Sequence, residues 1–450
     1  MRGCLDARLC CCATPETTRT CASRPGYNPA VRRALATGVA ACVWGVALLM
    51  PRDASPHYPV TTTVLFNREI ATLFQRACLP CHAAGGLAMS LATFEEARPW
   101  AVAIKEEILE RRMPPWPAER GYGEFANDLS LTTRERDFLV SWVDGGTPKG
   151  EVEPPAYVDH GAHWMLGTPD AVLTAGTGVR VEPGRPVQRA RLIMQTAVPR
   201  QTWLRALDYK PSDKRVVRAA VFSLVETGQY LGTGTPWRTT VQMPDGAGVR
   251  VPARARIAID VVYQSAPEPV VDSPSLGLYF SKALSNTRSN MPANARPARE
   301  VTTTTIEGVM PSASTAAASG IRLMARYVVP RDRSIFDVRP DVGPGGRSIE
   351  VKVTRPDGSS QVLLWIKTFR QDWQTSYVLP RPLTLPKGSV VSAVAYFDPA
   401  PSQALPRFTL TFNSIDAGLP PGPAGPPVPA GPTALSAGFG PRLPGSARER

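Results

Sequence analysis

Five consecutive residues carry the clearest chemical signal in the sequence. Cys78 and Cys81 stand three positions apart and His82 follows directly, so Cys78-Leu79-Pro80-Cys81-His82 is a CxxCH motif. This spacing lets two thiols bond the two vinyl groups of one haem, while the adjacent imidazole binds the iron as proximal ligand. We therefore predict one covalently attached haem c, held by Cys78, Cys81 and His82.

Two other chemistries of paired cysteines fit the sequence less well. A structural zinc ion needs about four ligands, and after residue 52 the chain adds only His57, His160 and His163 to the motif. A thioredoxin-like redox pair belongs in a βαβ context, which the flanking sequence lacks. Haem attachment is the interpretation that these comparisons favour.

Two methionines compete for the distal position on the iron. Met113 precedes Pro114-Pro115-Trp116, and the two prolines stiffen the backbone that would hold its thioether. Met89 lies closer to the motif, and its alternative role is simple core packing. We predict Met113 and keep Met89 as the second candidate. A His/Met pair suits electron transfer, whereas an open distal position would let a small ligand bind.

Three amphipathic segments around the motif are predicted to be short helices. The first is capped by Asn67 and ends at Cys78, and the second starts after Thr93 and ends before Pro114. The third starts at the capping box Thr132-x-x-Glu135 and ends at Gly145-Gly146. The first delivers Cys78 at its C-terminal end. A segment of this size would struggle to bury enough apolar surface without a prosthetic group.

The chain after residue 165 alternates β-branched runs with Pro/Gly turns. The predicted strands cover residues 187–198, 215–225, 257–263, 349–354, 361–367 and 390–397. Their long, irregular spacing fits two packed sandwiches better than βαβ units. The predicted fold class is therefore multidomain, α plus all-β: a small helical c-type cytochrome domain followed by two β-sandwich, jelly-roll-like domains.

These shifts in composition also set the predicted domain boundaries. We expect a leader over residues 1–33, upstream of a later start codon, a signal segment or membrane anchor over 34–50, the cytochrome domain over 60–150, the first sandwich over 165–282, a flexible linker over 283–319, the second sandwich over 320–415 and a disordered Pro/Gly-rich tail over 416–450.

The apolar run over residues 34–50 decides the expected compartment. It follows Arg32 and Arg33 and contains no charged residue. It is long for the core of a signal peptide and short for a membrane-spanning helix, so a cleaved signal and a retained anchor both remain open. The basic flank predicts a cytoplasmic N-terminus and a periplasmic or otherwise extracytoplasmic location for everything after residue 52. Of the eight cysteines, only Cys78 and Cys81 lie in that exported part.

The sequence around CxxCH contains longer motifs that are also found in a known protein family. The stretch over residues 64–149 contains CLPCH, MSLATFEEARPW, RRMPPW, YGEFANDLSL and WVDGGTPKG. It resembles the c-type cytochrome domain of secreted bacterial proteins that join it to a copper type II, ascorbate-dependent, peptidylglycine-monooxygenase-like pair of β-sandwiches. The runs WLRALDYKPSDKRVVRAAVFSL, SIEVKVTRPDG and DWQTSYVLPRPLTLPKG are similar to the sandwich region of that family. The resemblance implies that the methionine of MPPW, Met113, is the distal ligand.

The copper positions that the resemblance implies hold no imidazole in this chain. Arg218 and Ala219 stand at the positions of a His-His pair, and Val262 stands at that of a further His. Asp341 and Gly343 replace the two histidines of a Pro-His-x-His loop. No histidine occurs anywhere in the two sandwich ranges, and copper prefers nitrogen donors. We expect no bound copper and interpret the sandwiches as a scaffold, a partner-docking surface or a ligand-binding module.

The charge distribution gives no indication of a nucleic-acid partner. The net charge of +13 comes from scattered arginines without a run of like charges, so no nucleic-acid partner is predicted. We expect an exported monohaem c-type cytochrome that transfers electrons with a periplasmic redox partner and has lost copper monooxygenase activity. Association with the membrane depends on the segment over residues 34–50. Two alternatives remain: a copper-dependent monooxygenase that uses the haem domain as electron donor, and a haem-based sensor or binding protein.

Overall fold

Strands far outnumber helices in this protein. The computed structural model describes residues 62–159, 163–281, 297–310, 320–398 and 405–417. Of the described residues, 42% are strand and 14% are helix, and the strands form β-sandwich-like sheets. The predicted leader, the segment over residues 34–50 and most of the tail lie outside the described residues. Among the helices within those ranges, none is both long enough and apolar enough to cross a bilayer.

The helices of the described residues are all short and lie between residues 66 and 144. They are the π-helical turn Phe66–Ile70, the α-helices Ala71–Ala77, Leu79–His82 and Phe94–Ala97, the 3₁₀ turn Arg98–Trp100, and the α-helices Ala101–Leu109 and Thr133–Asp144. The predicted capping box is confirmed: the Thr132 hydroxyl accepts from the Glu135 amide, and the Glu135 carboxylate accepts from the Thr132 amide. Thr93 and Glu96 form a second one.

The prediction of Asn67 as a helix cap is wrong. Asn67 lies inside the first helical turn, which begins one residue earlier at Phe66, and its side-chain amide donates to the Gly150 carbonyl at 3.1 Å. The turn begins there because Phe66 is buried among aromatic rings, with its ring centroid 6.0 Å from that of Phe74 and 5.8 Å from that of Trp142. Packing of the ring thus overrides the local capping preference of asparagine.

The first sandwich contains two larger sheets and one small one. Its strands are β1 (Ala171–Thr174), β2 (Val179–Val181), β3 (Val187–Gln195), β4 (Thr202–Lys210), β5 (Val217–Leu224), β6 (Tyr230–Gly234), β7 (Thr240–Gln242), β8 (Ala247–Val251), β9 (Arg256–Gln264), β10 (Val270–Asp272), β11 (Ser275–Phe280) and β12 (Arg299–Glu300). One sheet has the order β1-β11-β4-β8-β12 with β7 beside β4, one has the order β3-β9-β5-β6, and β2 pairs with β10. The three strands predicted here are β3, β5 and β9, which are neighbours in one sheet.

The second sandwich has two four-stranded antiparallel sheets. Its strands are β13 (Thr302–Glu307), β14 (Ile321–Val328), β15 (Arg333–Val342), β16 (Gly346–Thr354), β17 (Ser360–Ile366), β18 (Tyr377–Leu385), β19 (Val390–Phe397) and β20 (Phe408–Asp416). The sheet orders are β13-β20-β15-β18 and β14-β19-β16-β17. The predicted strands β16, β17 and β19 are again neighbours in one sheet.

Part of the predicted flexible linker over residues 283–319 is ordered β structure. Strands β12 and β13 lie within that range, and β13 pairs with β20 from Thr302↔Ser414 to Glu307↔Thr409. The prediction rested on the Asn, Thr, Ala, Pro and Ser content of the whole stretch. It overlooked the β-branched run of residues 301–306, which is typical of a strand.

The helical segment packs on the second sandwich, although the first follows it in sequence. One continuous hydrophobic core contains Trp142 of the helices together with Tyr377 and Leu364 of the second sandwich. The ring of Trp116 lies 5.1 Å from that of Tyr377. The Asn127 side chain donates to the Ser376 carbonyl at 2.7 Å and accepts from the Val378 amide at 3.0 Å.

Replacing Asn127 by alanine is expected to weaken this junction. The substitution leaves the Val378 amide without its acceptor, while the Ser376 carbonyl keeps the Thr375 hydroxyl as a donor. An unpaired buried group costs about 1–3 kcal/mol. We expect a lower free energy of unfolding in urea, measured by far-UV circular dichroism. Glu124→Ala on the same loop, where the side chain is exposed, is the control. Equal stability of both variants would contradict the assigned role of Asn127.

Asp337 is a buried carboxyl at the junction of the two sandwiches. Its side chain is 3% exposed, and the groups acting on it come from both sandwiches: Tyr230 and Arg238 from the first, Arg339 and Ser376 from the second. Burial raises the pKa of Asp337 to about 6, against the lowering effect of these neighbours. Because this folded pKa lies above the unfolded value, Asp337 is protonated in the folded state and ionised in the unfolded state at any pH between the two values.

Stability should therefore fall as the pH rises through this window. The contribution of Asp337 is complete below about pH 4 and is lost as the pH passes about 6, which amounts to about 3 kcal/mol. Asp337→Asn should lose less unfolding free energy between these pH values than the natural protein does. Urea unfolding of both proteins at each pH measures the difference, and identical slopes would rule out Asp337 as the titrating group.

Candidate functional site

The four residues predicted from the sequence to hold haem line one cavity. Cys78, Cys81, His82 and Met113 all contribute to its wall, and so does Met89. We call it the CxxCH cavity. It encloses about 180 Å³ and reaches about 960 Å³ when the space open to solvent is counted. Most of its other lining side chains are apolar, which is usual for a cofactor site.

Two consecutive short helices position the two cysteines and the histidine. The helix Ala71–Ala77 ends at Cys78, and the one-turn helix Leu79–His82 follows at once. The amides of Cys81 and His82 donate to the Cys78 carbonyl at 3.0 and 2.9 Å. Gly86 then lets the chain turn back closely, because a Cβ at this position would lie 2.5 Å from the Cys81 carbonyl oxygen.

A backbone hydrogen bond orients the His82 ring. Its Nδ1 lies 3.0 Å from the Met89 carbonyl oxygen, which can only accept, so Nδ1 carries the proton. The lone pair of Nε2 is therefore available to a metal, the arrangement usual for a ligating histidine. Burial lowers the pKa of His82, which also favours the neutral imidazole.

The two thiols are unsuited to redox exchange. Both are free in this structure, and burial raises the pKa of Cys78 to about 12 and that of Cys81 to about 12. Reactive cysteines instead have a lowered pKa and a stable thiolate. This environment counts against a redox dithiol and leaves covalent attachment as the better use of the pair.

Met113 and Met89 reach the CxxCH cavity from different segments. Met113 follows the helix Ala101–Leu109, and its amide donates to the Glu107 carbonyl at 3.2 Å. It precedes Pro114 through a cis peptide bond. Met89 belongs to the loop that carries the acceptor for His82, and 41% of its surface is exposed. Since the backbone of Met89 already holds the His82 ring, Met113 is the better candidate for the predicted distal ligand.

Sequence reasoning missed four further residues of this cavity, all from the sandwiches. They are Arg218 and Gln264 of the first sandwich and Arg370 and Trp373 of the second. The guanidinium of Arg218 lies over the Trp373 ring, 5.2 Å from its centroid. One signal could have pointed to Arg218, since it is the one charged residue of the mostly buried strand β5.

Gln264, Arg218, Asp372 and Arg370 form a chain of hydrogen bonds, which we call the bridging network. The Arg218 Nε donates to the Gln264 Oε1 at 3.3 Å, and its Nη1 donates to the Asp372 Oδ2 at 2.8 Å. The Arg370 Nη2 donates to the same Asp372 oxygen at 3.1 Å. Two guanidinium groups thus share one carboxylate, so the network contributes one net positive charge to the site.

Both ends of the bridging network hold loops of the helical segment. At one end the Gln264 side-chain amide donates to the Leu87 carbonyl at 2.5 Å, two residues before Met89. At the other end Arg370 donates to the Arg112 carbonyl at 3.2 Å, directly before Met113. The sandwiches therefore hold in place the loop that orients His82 and the segment that contains Met113, the two predicted axial ligands.

The positions at which the family resemblance would place copper ligands have other neighbours in this chain. Ala219 and Val262 are buried in the first sandwich, and Arg218 belongs to the bridging network. Asp341 lies 3.2 Å from Arg339 in an ion pair. In the part of the chain that the structure describes, no group of three or more His, Cys, Asp or Glu side chains is arranged to hold a metal ion.

Comparison with known proteins yields little. No protein-family model matches the chain, and no curated protein matches it. Among solved structures, the major capsid protein P2 of bacteriophage PM2 is 11% identical over 55% of this chain and 97% of its own, with a TM-score of 0.24. PNGF-II is 8% identical over 55% of this chain and 65% of its own, with a TM-score of 0.25. At such scores neither similarity carries an argument about function.

Proposed function

We propose that this chain is an exported monohaem c-type cytochrome that transfers electrons, and that its copper-free sandwiches complete the haem cavity. The observation that carries the proposal is the convergence of Cys78, Cys81, His82 and Met113 on the CxxCH cavity. Three of these residues lie within the five-residue motif, but Met113 belongs to a separate segment. The CxxCH spacing alone does not require Met113 to lie in the same cavity.

The chemistry of these donors fits a haem c. The two thiols belong to one helical turn, the His82 Nε2 is free to bind iron, and a thioether is available from Met113. The enclosed volume of about 180 Å³ is smaller than the range of about 300–1,000 Å³ for small-molecule sites. A porphyrin would therefore occupy the space open to solvent as well as the enclosed part.

A bound haem would supply one-electron redox chemistry. The residues of this chain would fix it and set its surroundings: Cys78 and Cys81 by covalent attachment, His82 and Met113 as axial donors. Arg218 and Arg370 would offer guanidinium groups to the haem carboxylates, which their planar forks suit. Copper has no comparable donor set at the positions that the family resemblance points to.

Carbon monoxide distinguishes electron transfer from the sensor alternative. The protein is exported from a host with haem attachment machinery, reduced and then exposed to carbon monoxide, and its visible spectrum is recorded. Electron transfer predicts reversible oxidation and reduction with little carbon monoxide binding, because Met113 occupies the distal side. Rapid and complete binding would favour the haem-based sensor.

Replacing Arg218 by glutamine should lower the reduction potential without loss of covalent haem. The change removes a positive charge from the cavity wall. Without that charge the oxidised, more positive form of the iron is repelled less, so the reduction potential falls. We expect a shift of tens of millivolts in a spectroelectrochemical titration. Arg191→Gln is the control, since Arg191 lies in the same sheet but its side chain is 58% exposed. A shift of equal size in both variants would mean that Arg218 does not face the haem.

A further inference from the structure

A wide groove lies at an edge of the second sandwich and shares no lining residue with the CxxCH cavity. Strands β17 and β18 are the last strands of their two sheets, and the groove lies between them and the loop over residues 116–128. We call it the edge groove. It encloses about 890 Å³, against about 180 Å³ for the CxxCH cavity. The edge groove therefore has room for a stretch of extended polypeptide.

The wall of the edge groove offers apolar surface that the described residues leave partly uncovered. Strand β18 pairs with β15 at Val378 and again at Leu383, so residues 379–382 bulge out of the sheet. The apolar wall residues with partly or fully exposed side chains are Phe125, Val362, Pro380 and Leu383. Grooves with aromatic and apolar walls are used by many domains to bind proline-rich segments in the polyproline II conformation.

The sequence of this same chain contains such a segment. Residues 419–432, which lie outside the described residues and which we call the proline segment, read LPPGPAGPPVPAGP. Five prolines recur in it at every third position: Pro420, Pro423, Pro426, Pro429 and Pro432. Polyproline II has three residues per turn, so this spacing would place all five on one side of the helix. The conformation has no internal hydrogen bonds, so its carbonyl groups are free to accept from a protein surface.

The second sandwich ends close to the edge groove. Asp416 at the end of β20 pairs with Arg333 of β15, and Arg333 pairs on its other side with Leu385 of β18. Two strand spacings, about 10 Å, therefore separate Asp416 from β18. Leu383, two residues before Leu385, lines the groove. At about 3.1 Å per residue in polyproline II, the proline segment is several times longer than this distance.

The charges at the edge groove also suit the end of this chain. Arg381 is exposed on the bulge, and its guanidinium can donate to the carbonyl groups of a bound segment. Glu124 and Asp128 are exposed at the groove and form no ion pair within the described part of the chain. Residues 433–450, which follow the proline segment, contain three arginines and one glutamate. Their net positive charge complements the two carboxylates.

We propose that the proline segment binds in the edge groove of its own molecule as a polyproline II helix. Its five regularly spaced prolines lie on the apolar wall, and the arginines that follow lie toward Glu124 and Asp128. The short distance from Asp416 to β18 favours the segment of the same molecule over that of a second copy, because a short tether gives a high effective concentration. The proposal assigns this groove an occupant that the proposed electron transfer does not involve.

Photo-cross-linking in the full chain tests the proposal. A benzophenone side chain is placed at position 361, since Gln361 is exposed and lines the edge groove. After irradiation, cross-linked peptides are identified by mass spectrometry, and we expect cross-links to the proline segment within one molecule. The control carries the benzophenone at position 322. Arg322 is also exposed but lies on β14, at the opposite edge of the sheet that contains β17, so its yield should be lower by about tenfold or more.

Two double variants of the proline segment test the polyproline II register without changing any described residue. Pro426→Ala with Pro429→Ala removes two of the five regularly spaced prolines. Pro421→Ala with Pro427→Ala removes two prolines that lie off this spacing. We expect the first pair to lower the cross-link yield from position 361 by about fivefold or more, and the second pair to lower it by less than about twofold.

Each alternative gives a different result. Absence of cross-links to the proline segment, or equal yields from positions 361 and 322, would overturn the proposal. Cross-links found only in covalent dimers would assign the segment to a second copy and overturn it as well. Equal losses in the two proline variants would rule out a polyproline II register. None of these measurements depends on haem, so failure of the haem assignment would not change them.

Discussion

The double variant Cys78→Ala, Cys81→Ala is expected to carry no covalently bound haem. Both thioether bonds of a haem c come from these sulfurs, and the six other cysteines of the chain lie at or before residue 42. After residue 42 the chain contains no other cysteine that could replace them. We expect complete loss of haem-dependent peroxidase staining in a denaturing gel, where noncovalent haem is removed.

Single variants are the matched controls for this experiment. Cys78→Ala and Cys81→Ala each leave one thiol, so each should keep reduced staining and show the reduced-haem absorption bands expected for a single thioether link. Folding is followed by the β-sheet circular dichroism of the sandwiches, whose described residues from 163 onward contain neither cysteine. Covalent haem in the folded double variant would refute the attachment assignment.

Replacing Met113 by alanine should open the distal side of the haem. The ferric protein should lose the weak long-wavelength band of methionine-ligated haem, and the reduced protein should bind carbon monoxide readily. The reduction potential should also fall, since a thioether ligand raises it. Absorption spectra and carbon monoxide titration measure both effects.

Met89→Ala is the matched control for Met113. Both thioethers line the CxxCH cavity, but only the backbone carbonyl of Met89 has a role in the site, and alanine retains it. We therefore expect a spectrum close to that of the natural protein. The reverse pattern, with loss of methionine ligation in Met89→Ala alone, would assign the distal position to Met89.

Local features of the sequence predicted the elements well. The CxxCH motif, the Thr132 capping box and the β-branched runs each act over a few residues, and the structure contains the corresponding turn, helix and strands. Asn67 and the segment over residues 299–307 were mispredicted for different reasons. Packing of the Phe66 ring against Phe74 and Trp142 sets the start of the first helical turn. The β-branched run of residues 301–306 is a local strand signal that the composition of the whole stretch obscured.

The bridging network could not be predicted from local patterns. Gln264 and Leu87 are 177 residues apart in sequence, and Arg370 and Arg112 are 258 residues apart. Resemblance to a copper-binding family drew attention to Arg218 only as a missing histidine. In the structure this arginine donates hydrogen bonds to Gln264 and Asp372. The same strand position that would hold copper in the family thus belongs to the wall of the CxxCH cavity in this chain.

Metal and haem content per chain tests the central claim most directly. The full exported protein is purified without chelators, iron and copper are counted by elemental analysis, and covalent haem is counted from its alkaline pyridine spectrum. The account predicts one iron and one covalent haem per chain, with no copper. Stoichiometric copper beside the iron, or iron without covalent haem, would contradict it.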